Sequence, residues 1–395
     1  MMAAALQGIR VLDLTTVIFG PYASQILADY GAEVIKLESF MGDSTRYTGP
    51  AQEPGLSAMF LSVNRNKKSI SVDLKTAEGQ ALVQELLQTC DVFMHNIRPQ
   101  KMAKMGLSYE QVKELNPQLI YAGLYGFGSQ GRYAGRPAYD DIIQGMSGVP
   151  DLIQQQSGTP RYMPTIAADK SCALVAAHAI LAALFQRTQT QQGQFVEVPM
   201  FESMVSFTML EHYYDQHLVD LPGMKKGYQR VLSEHRKPYA TSDGYLCVMP
   251  YTDKHWQTLF KATGHTELAE DPRFANIAER TRHIDALYDL VGEIMRSRST
   301  QEWLVLLAEH DIPHAVMNTL STIAEDPHLQ DVGFFQQLDD TSGSYRFMNN
   351  PVQLEHSHVP VQMPPRLGEH TQSVLEGLGL SKDKINALYS NNIVK

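Results

Sequence analysis

The chain is poor in the features that would assign it to several large classes at once. Its 395 residues hold only three cysteines, Cys90, Cys172 and Cys247, far apart and without C-x-x-C spacing. That excludes a disulfide framework or a cysteine zinc site and suggests a reducing, cytoplasmic setting. No apolar run approaches the roughly 18 residues that a bilayer requires; the richest, Cys172 to Phe185, reads as a buried helix and no membrane partner is expected. MMAAALQGIR has no basic stretch leading into an apolar core, so no secretory signal is read there. Basic residues are outnumbered, 33 to 43, for a net charge of −10. This argues against a general nucleic-acid surface, while leaving room for a local basic patch facing one anionic ligand. G-x-S-x-G, the P-loop and H-E-x-x-H are all missing.

What is present is an α/β alternation. Ile9–Leu14 reads as a strand, Tyr22–Tyr30 as a helix closed by Gly31, and Glu33–Leu37 as a second strand. Further alternation follows: helix Thr76–Thr89, strand Val92–Asn96, helix Tyr109–Asn116, strand Leu119–Leu124. A helical stretch Ala167–Gln186, a strand Gln194–Met200 and a helix Phe201–Leu218 complete the pattern. Such alternation predicts a Rossmann-like parallel sheet covered on both faces. The first turn, TTVIFGP, has one glycine where a dinucleotide fingerprint needs three, so the fold signal stands without the nicotinamide one. The texture changes at Leu221-Pro222-Gly223. The organisation expected is therefore a large domain over 1–220, a smaller, mostly helical α/β domain over 221–331, and a segment over 332–395 returning to the large domain.

Several groups are candidates for chemistry. Arg65, Lys67 and Lys68, then Arg98, Lys101 and Lys104, follow predicted strands, where α/β folds bind ligands. They suit a ligand with several phosphates, or are a solvated surface. Gly126, Gly128, Gly131 and Gly135 form a loop able to bring backbone N–H groups near an anion, or a mere connector. Asp169 opens an apolar helix among small residues. There it either caps the helix or, as a partly buried carboxylate, serves as a nucleophile. The 14 histidines form no donor cluster, and no metal site is expected.

The segments 13–38 (DLTTVIFGPYASQILADYGAEVIKLE), 64–74 (NRNKKSISVDL), 95–107 (HNIRPQKMAKMGL), 136–148 (RPAYDD to GMSG), 167–203 and 364–371 (PPRLGEHT) resemble, in order and spacing, the class III (CaiB/BaiF-type) CoA-transferases. That family also includes formyl-CoA transferases, carnitine CoA-transferases and alpha-methylacyl-CoA racemases. The resemblance covers nearly the whole chain. It implies Asp169 as a covalent nucleophile and CoA or acyl-CoA as substrate, with no permanently bound cofactor. It implies a CoA site of Val17, Ile18, Phe19, Asn66, Lys67, Asn96, Arg98, Lys104 and Met105, together with Tyr139, and an interlocked homodimer. Lys104 stands where arginine is common in the family. The small domain's Met249-Pro250-Tyr251-Thr252 lacks the glycine run that covers the intermediate in family members.

Racemases of the family place a histidine where this chain has Tyr139. Tyrosine, with a usual pKa near 10, is a weak base at neutral pH. The expected activity is thus CoA transfer from an acyl-CoA donor, succinyl-CoA among the candidates, to a small carboxylic or dicarboxylic acid. Aspartyl anhydride and aspartyl-CoA thioester intermediates would carry it, with N–H groups of Gly126–Gly131 as oxyanion donors. Arg46, Tyr139 and His235-Arg236 are candidate contacts for the acid. The alternatives are a 2-methylacyl-CoA racemase and a non-catalytic CoA-binding protein.

Overall fold

The computed structural model describes residues 3–218 and 227–395, so the expected boundary at Leu221-Pro222-Gly223 lies outside the described residues. The chain forms two compact units. The first gathers 1–147, 164–207 and 329–395; the second gathers 148–163 and 208–328.

The first unit is built on six parallel strands: β1 (Arg10–Leu14), β2 (Glu33–Glu38), β3 (Lys67–Ser71), β4 (Val92–His95), β5 (Ile120–Tyr125) and β6 (Gln194–Pro199). Their order is β3-β2-β1-β4-β5-β6. This is the doubly wound order, in which connections run to opposite faces on either side of the β1/β4 junction and leave a crevice at the strands' carboxyl ends. The helices that cover the sheet include α1 (Phe19–Asp29), α2 (Ala77–Leu87), α3 (Pro99–Lys104), α4 (Tyr109–Leu115), α5 (Asp140–Met146), α6 (Ala167–Thr190) and α7 (Met200–His212), with α8 (Thr371–Gly377) and α9 (Lys382–Ser390) from the tail. Alternation along β1 sends Leu12 and Leu14 into one core with Ile35, Leu37, Leu82, Leu86 and Val112, joined by Val374 and Leu388 of the tail. On α6, Ala168, Cys172, Ala173, Ala176, Ala177 and Ile180 are buried. Their three- and four-residue spacing makes one small-residue face that packs on α1.

Helix α6 corrects one expectation. Its 24 residues are long and apolar enough, by length and composition, to cross a bilayer. Here its buried face belongs to the core of the sheet unit.

Gly20 has a definite use. A Cβ there would lie 2.2 Å from the Cβ of Thr15, so only glycine lets α1 start this close to the end of β1. Among the elements not anticipated are β3 and an antiparallel hairpin of Phe335–Asp340 with Gly343–Met348. The second unit holds a three-stranded antiparallel sheet of β7 (Tyr239–Ala240), β8 (Tyr245–Val248) and β9 (His314–Val316). Helices including Asp253–Ala262, Ile284–Met295 and Thr300–Glu309 pack around Trp256, Leu287 and Trp303.

Candidate active site

A cavity of about 600 Å³ opens at the carboxyl ends of β1, β4 and β5, which is the switch-point crevice of this strand order. Its wall includes Val17 and Phe19 after β1, Asn96 and Arg98 after β4, and Tyr139 and Asp169. These six residues singled out from the sequence therefore meet here, joined by Lys101, Gly126 and Gly135, although they lie up to 152 positions apart in the chain.

The first loop is held under tension. Val17 has φ 73°, a left-handed conformation that a β-branched residue adopts only when its surroundings impose it. Its N–H reaches both Asp43 carboxylate oxygens at 3.3 Å. Asp43 is gripped in turn by Lys36 at 3.0 Å, neither side chain having any exposed surface, and Lys36 also donates to the Thr15 carbonyl at 2.9 Å. Burial alone would raise Asp43; the Lys36 charge and the Thr45 N–H pull it below its ordinary value. Asn96 joins β4 to the same loop, accepting from the Thr16 N–H at 3.2 Å and donating to the Thr16 carbonyl at 2.9 Å.

Other expected CoA contacts lie elsewhere. Ile18 is buried at the N-cap of α1. Lys67 points inward with no exposed side-chain surface. It donates to Asp13 at 3.2 Å, and to the Pro21 carbonyl and Asn64 at 2.8 Å each, which uses its three N–H bonds. Burial lowers the Lys67 amine to about 8; burial would raise the Asp13 carboxyl, but the Lys67 and Lys36 charges outweigh it and hold it at about 2. Arg65 is paired with Asp29 at 2.6 Å and Lys68 with Glu33 at 2.5 Å, so this half of the basic cluster is taken up by internal partners. Asn66 binds Asp29 and accepts the Gln362 N–H, a link within the fold. Lys104 is exposed in the last turn of α3, and Met105 packs against the core; neither borders the cavity. Arg98 and Lys101 do.

One further expectation needs correction. Arg46 is buried, bound to Glu38 at 2.8 and 2.6 Å and to the carbonyls of Gly55 and Pro365. Buried and with four of its N–H groups bound inside the fold, it is not presented to a substrate acid. His235, in the second unit, lies 3.4 Å from Asp289. The glycine loop is also partly committed. The Gly128 N–H donates to Glu202 at 3.0 Å, and the Ser129 N–H to Glu197 at 2.7 Å, so neither is available as an oxyanion donor.

Asp169 is the third residue of α6 and is half-buried. It is not the cap. Ile166 occupies the N-cap position and caps nothing with its side chain. The Ala168 and Asp169 N–H groups donate instead to Asp140 Oδ1, at 2.7 and 3.0 Å. Burial first, and the Asp140 charge second, push the Asp169 carboxyl up to about 7. One turn on, burial and then Asp169 push the Cys172 thiol up to about 12, which makes it inert as a nucleophile. Tyr139 is 71 % exposed at the N-cap of α5. Sequence reasoning missed the roles of Asp140, Glu197 and Glu202. Their partners lie 28, 68 and 74 positions away, and no local pattern announces such contacts. Among the described residues no three His, Cys, Asp or Glu side chains are grouped to hold a metal ion.

A doubly wound sheet with a cationic switch-point cavity and one carboxyl raised toward neutrality defines an α/β enzyme of the kind that binds an anionic ligand at its strand ends. CoA-transferase family III matches residues 6–371, and the chain belongs to that family of enzymes. It is 30% identical to human succinyl-CoA:glutarate CoA-transferase over 98% of this chain and 90% of that protein. It is 31% identical to the formyl-CoA:oxalate CoA-transferase of Streptomyces coelicolor over the whole length of both. Among solved structures, a CAIB/BAIF family protein from Brucella suis superposes with a TM-score of 0.79 at 31% identity, covering 95% of this chain and all of that one.

Proposed function

We propose that this chain transfers CoA from an acyl-CoA donor, with succinyl-CoA the first to test, to a small carboxylic or dicarboxylic acid, with Asp169 as nucleophile. The observation that carries the reading is the placement of Asp169 on the wall of the switch-point cavity with its carboxyl raised to about 7. A carboxylate of ordinary basicity is a weak nucleophile; one raised toward neutrality is stronger and still ionises at working pH. An Asp169 oxygen attacks the thioester carbon, the C–S bond breaks, and CoA leaves as thiolate. The thiolate attacks the Asp169 carbonyl of the anhydride, releasing the donor acid and leaving an aspartyl-CoA thioester. The acceptor carboxylate then reverses both steps.

Arg98 and Lys101 stand on the cavity wall as cations for the CoA phosphates, and Asn96 and Asp43 hold the loop that faces them. Support for transfer over racemisation comes from Tyr139 in place of a stronger base, and from relatives that act as transferases. We also propose that the protein works as a homodimer. Leu174 and Phe185, 53 % and 67 % exposed on α6, suit such burial.

The test is intact-protein and peptide mass spectrometry after mixing with acyl-CoA donors, followed by a panel of acceptor acids. The expected result is an adduct on Asp169 that an acceptor acid discharges, with Asp169→Asn showing neither adduct nor turnover. Turnover without an adduct, or alpha-proton exchange in deuterated water with no second acid, would overturn the reading.

A further inference from the structure

Asp140 does for the nucleophile's helix what no residue of that helix does. The first turn of α6 has no side-chain cap of its own, and its N–H groups need a partner. Asp140 Oδ1 takes two of them. Its other oxygen accepts from the Gln144 amide, which also donates to the Thr165 carbonyl at 3.3 Å. Three donors thus fix this carboxylate against the backbone of Asp169 itself.

Capping alone would be served as well by asparagine or serine. A carboxylate adds a fixed negative charge beside the group that must attack. Its direction opposes the helix N-terminus, which by itself favours an ionised Asp169.

We propose that Asp140 is a positioning residue that holds the α6 N-terminus in place and uses its charge to drive Asp169 from the free carboxylate into its covalent forms. This rests on the nucleophile reading above. In the anhydride, Asp169 has given an electron pair to the acyl carbon and the departing thiolate has carried the charge away. In the thioester, the donor acid has left as carboxylate with the C–O pair, and Asp169 is again neutral. Both covalent states are free of the repulsion that the resting carboxylate feels, so the Asp140 charge biases the internal equilibrium toward them.

The other ionisable groups around Asp169 are differently engaged or less close. On α6, Lys170 donates to the Thr165 hydroxyl and Cys172 stays protonated. Glu197 of β6 and Glu202 of α7 bind the glycine loop. Tyr125 of β5, Tyr139 at the start of α5, and Arg98 and Arg136 share the cavity wall. Tyr22 and Asp29 are the ionisable groups of α1, and Asp29 is paired with Arg65. Asp141 follows Asp140 on α5. Asp140 is the charge that acts on Asp169.

Asp140→Asn keeps the Oδ1 acceptor and loses the charge; the Gln144 amide can turn over to meet the new NH₂. Asp140→Ala loses both. In protein labelled with ¹³C-aspartate, the Asp169 carboxyl signal is assigned by its absence in Asp169→Asn, and its titration is followed. The covalent fraction is read by acid quench and intact mass with a donor acyl-CoA, and folding by thermal melting. For Asp140→Asn the expected result is a midpoint at least one pH unit below that of the wild type. The covalent-to-free ratio should be about tenfold lower, with melting unchanged at about pH 5, where Asp169 is protonated in both proteins; Asp140→Ala should show the same losses and melt earlier there. A wild-type midpoint and covalent fraction in Asp140→Asn overturn the inference while leaving the nucleophile reading intact. Absence of any adduct in the wild type overturns both.

Discussion

Asp169 is held in an unfavourable state by the folded chain. Its carboxyl titrates near 3.8 when unperturbed and near 7 here, through burial first and the Asp140 charge second. A raised carboxyl binds its proton more tightly folded than unfolded. The stability it contributes is therefore complete below about pH 4 and is lost as pH rises through 7. Replacing it with asparagine removes that dependence. Asp169→Asn should be inactive yet more stable than the wild type at pH 8, by on the order of 1–3 kcal/mol given the partial solvent access of the side chain. The advantage should shrink steadily toward pH 5 in urea titrations. An equal difference at both values would show that the change acts through packing instead. The same ionisation places an acidic limb near pH 7 on kcat/KM.

Single elements carry the geometry around that residue, and the connection between β1 and α1 carries most of it. Val17 keeps its left-handed backbone because Asp43 accepts its N–H, and Asp43 is positioned by Lys36 from β2. Methionine at position 36 would match the lysine in length but leave Asp43 and the Thr15 carbonyl buried without their donor. Breaking a buried pair from one side costs about 3–5 kcal/mol. Lys36→Met should lose stability of that order in denaturant titrations, and its KM for acyl-CoA should rise more than its kcat falls, since the released loop lines the cavity. An unchanged KM would detach the ion pair from binding.

This element also shows what the sequence makes legible. Apolar alternation exposes β1, β2, β4 and β5, and with them the doubly wound sheet. It hides β3, whose KKSIS begins with two lysines and resembles a solvated basic run. Lys67 is tolerated inside only because Asp13, 54 positions earlier, receives it. The same blindness placed Lys67 among ligand contacts and Arg46 among acid contacts, because a residue type announces its charge and not its partner. Asp169 alone looked like a cap. Ordered resemblance over the chain made it a nucleophile candidate, while the capping role belongs to Asp140.

At the scale of the whole molecule, the first unit is assembled from segments at both ends of the chain, with the tail completing its core. Val374, Leu375, Ile385, Leu388, Ile393 and Val394 are buried with residues of β1, β2 and β3 in one cluster. The end of the chain is fastened by backbone as well. Val394 bridges Val72, the Lys395 N–H donates to the Ser71 carbonyl at 3.1 Å, and the Asp73 N–H donates to the Ile393 carbonyl at 2.9 Å. The edge strand β3, which carries two lysines and pairs on one side with β2, is thereby continued by the last residues of the chain. Deleting 381–395 would remove four of those buried apolar side chains, each worth about 1.5–3 kcal/mol when fully buried, and would free the backbone groups beyond β3. The sum, on the order of 6–12 kcal/mol, is comparable with the whole stability of an ordinary domain, about 5–15 kcal/mol. The truncated chain should therefore accumulate as insoluble protein, or as a soluble form with a broad, early thermal transition and bound hydrophobic dye. Adding the 381–395 peptide in trans should restore part of the cooperativity, because the surface it fills is supplied by β1–β3 and α2 of the remaining chain. A truncated protein that melts like the full chain would show that this core closes without its last helix.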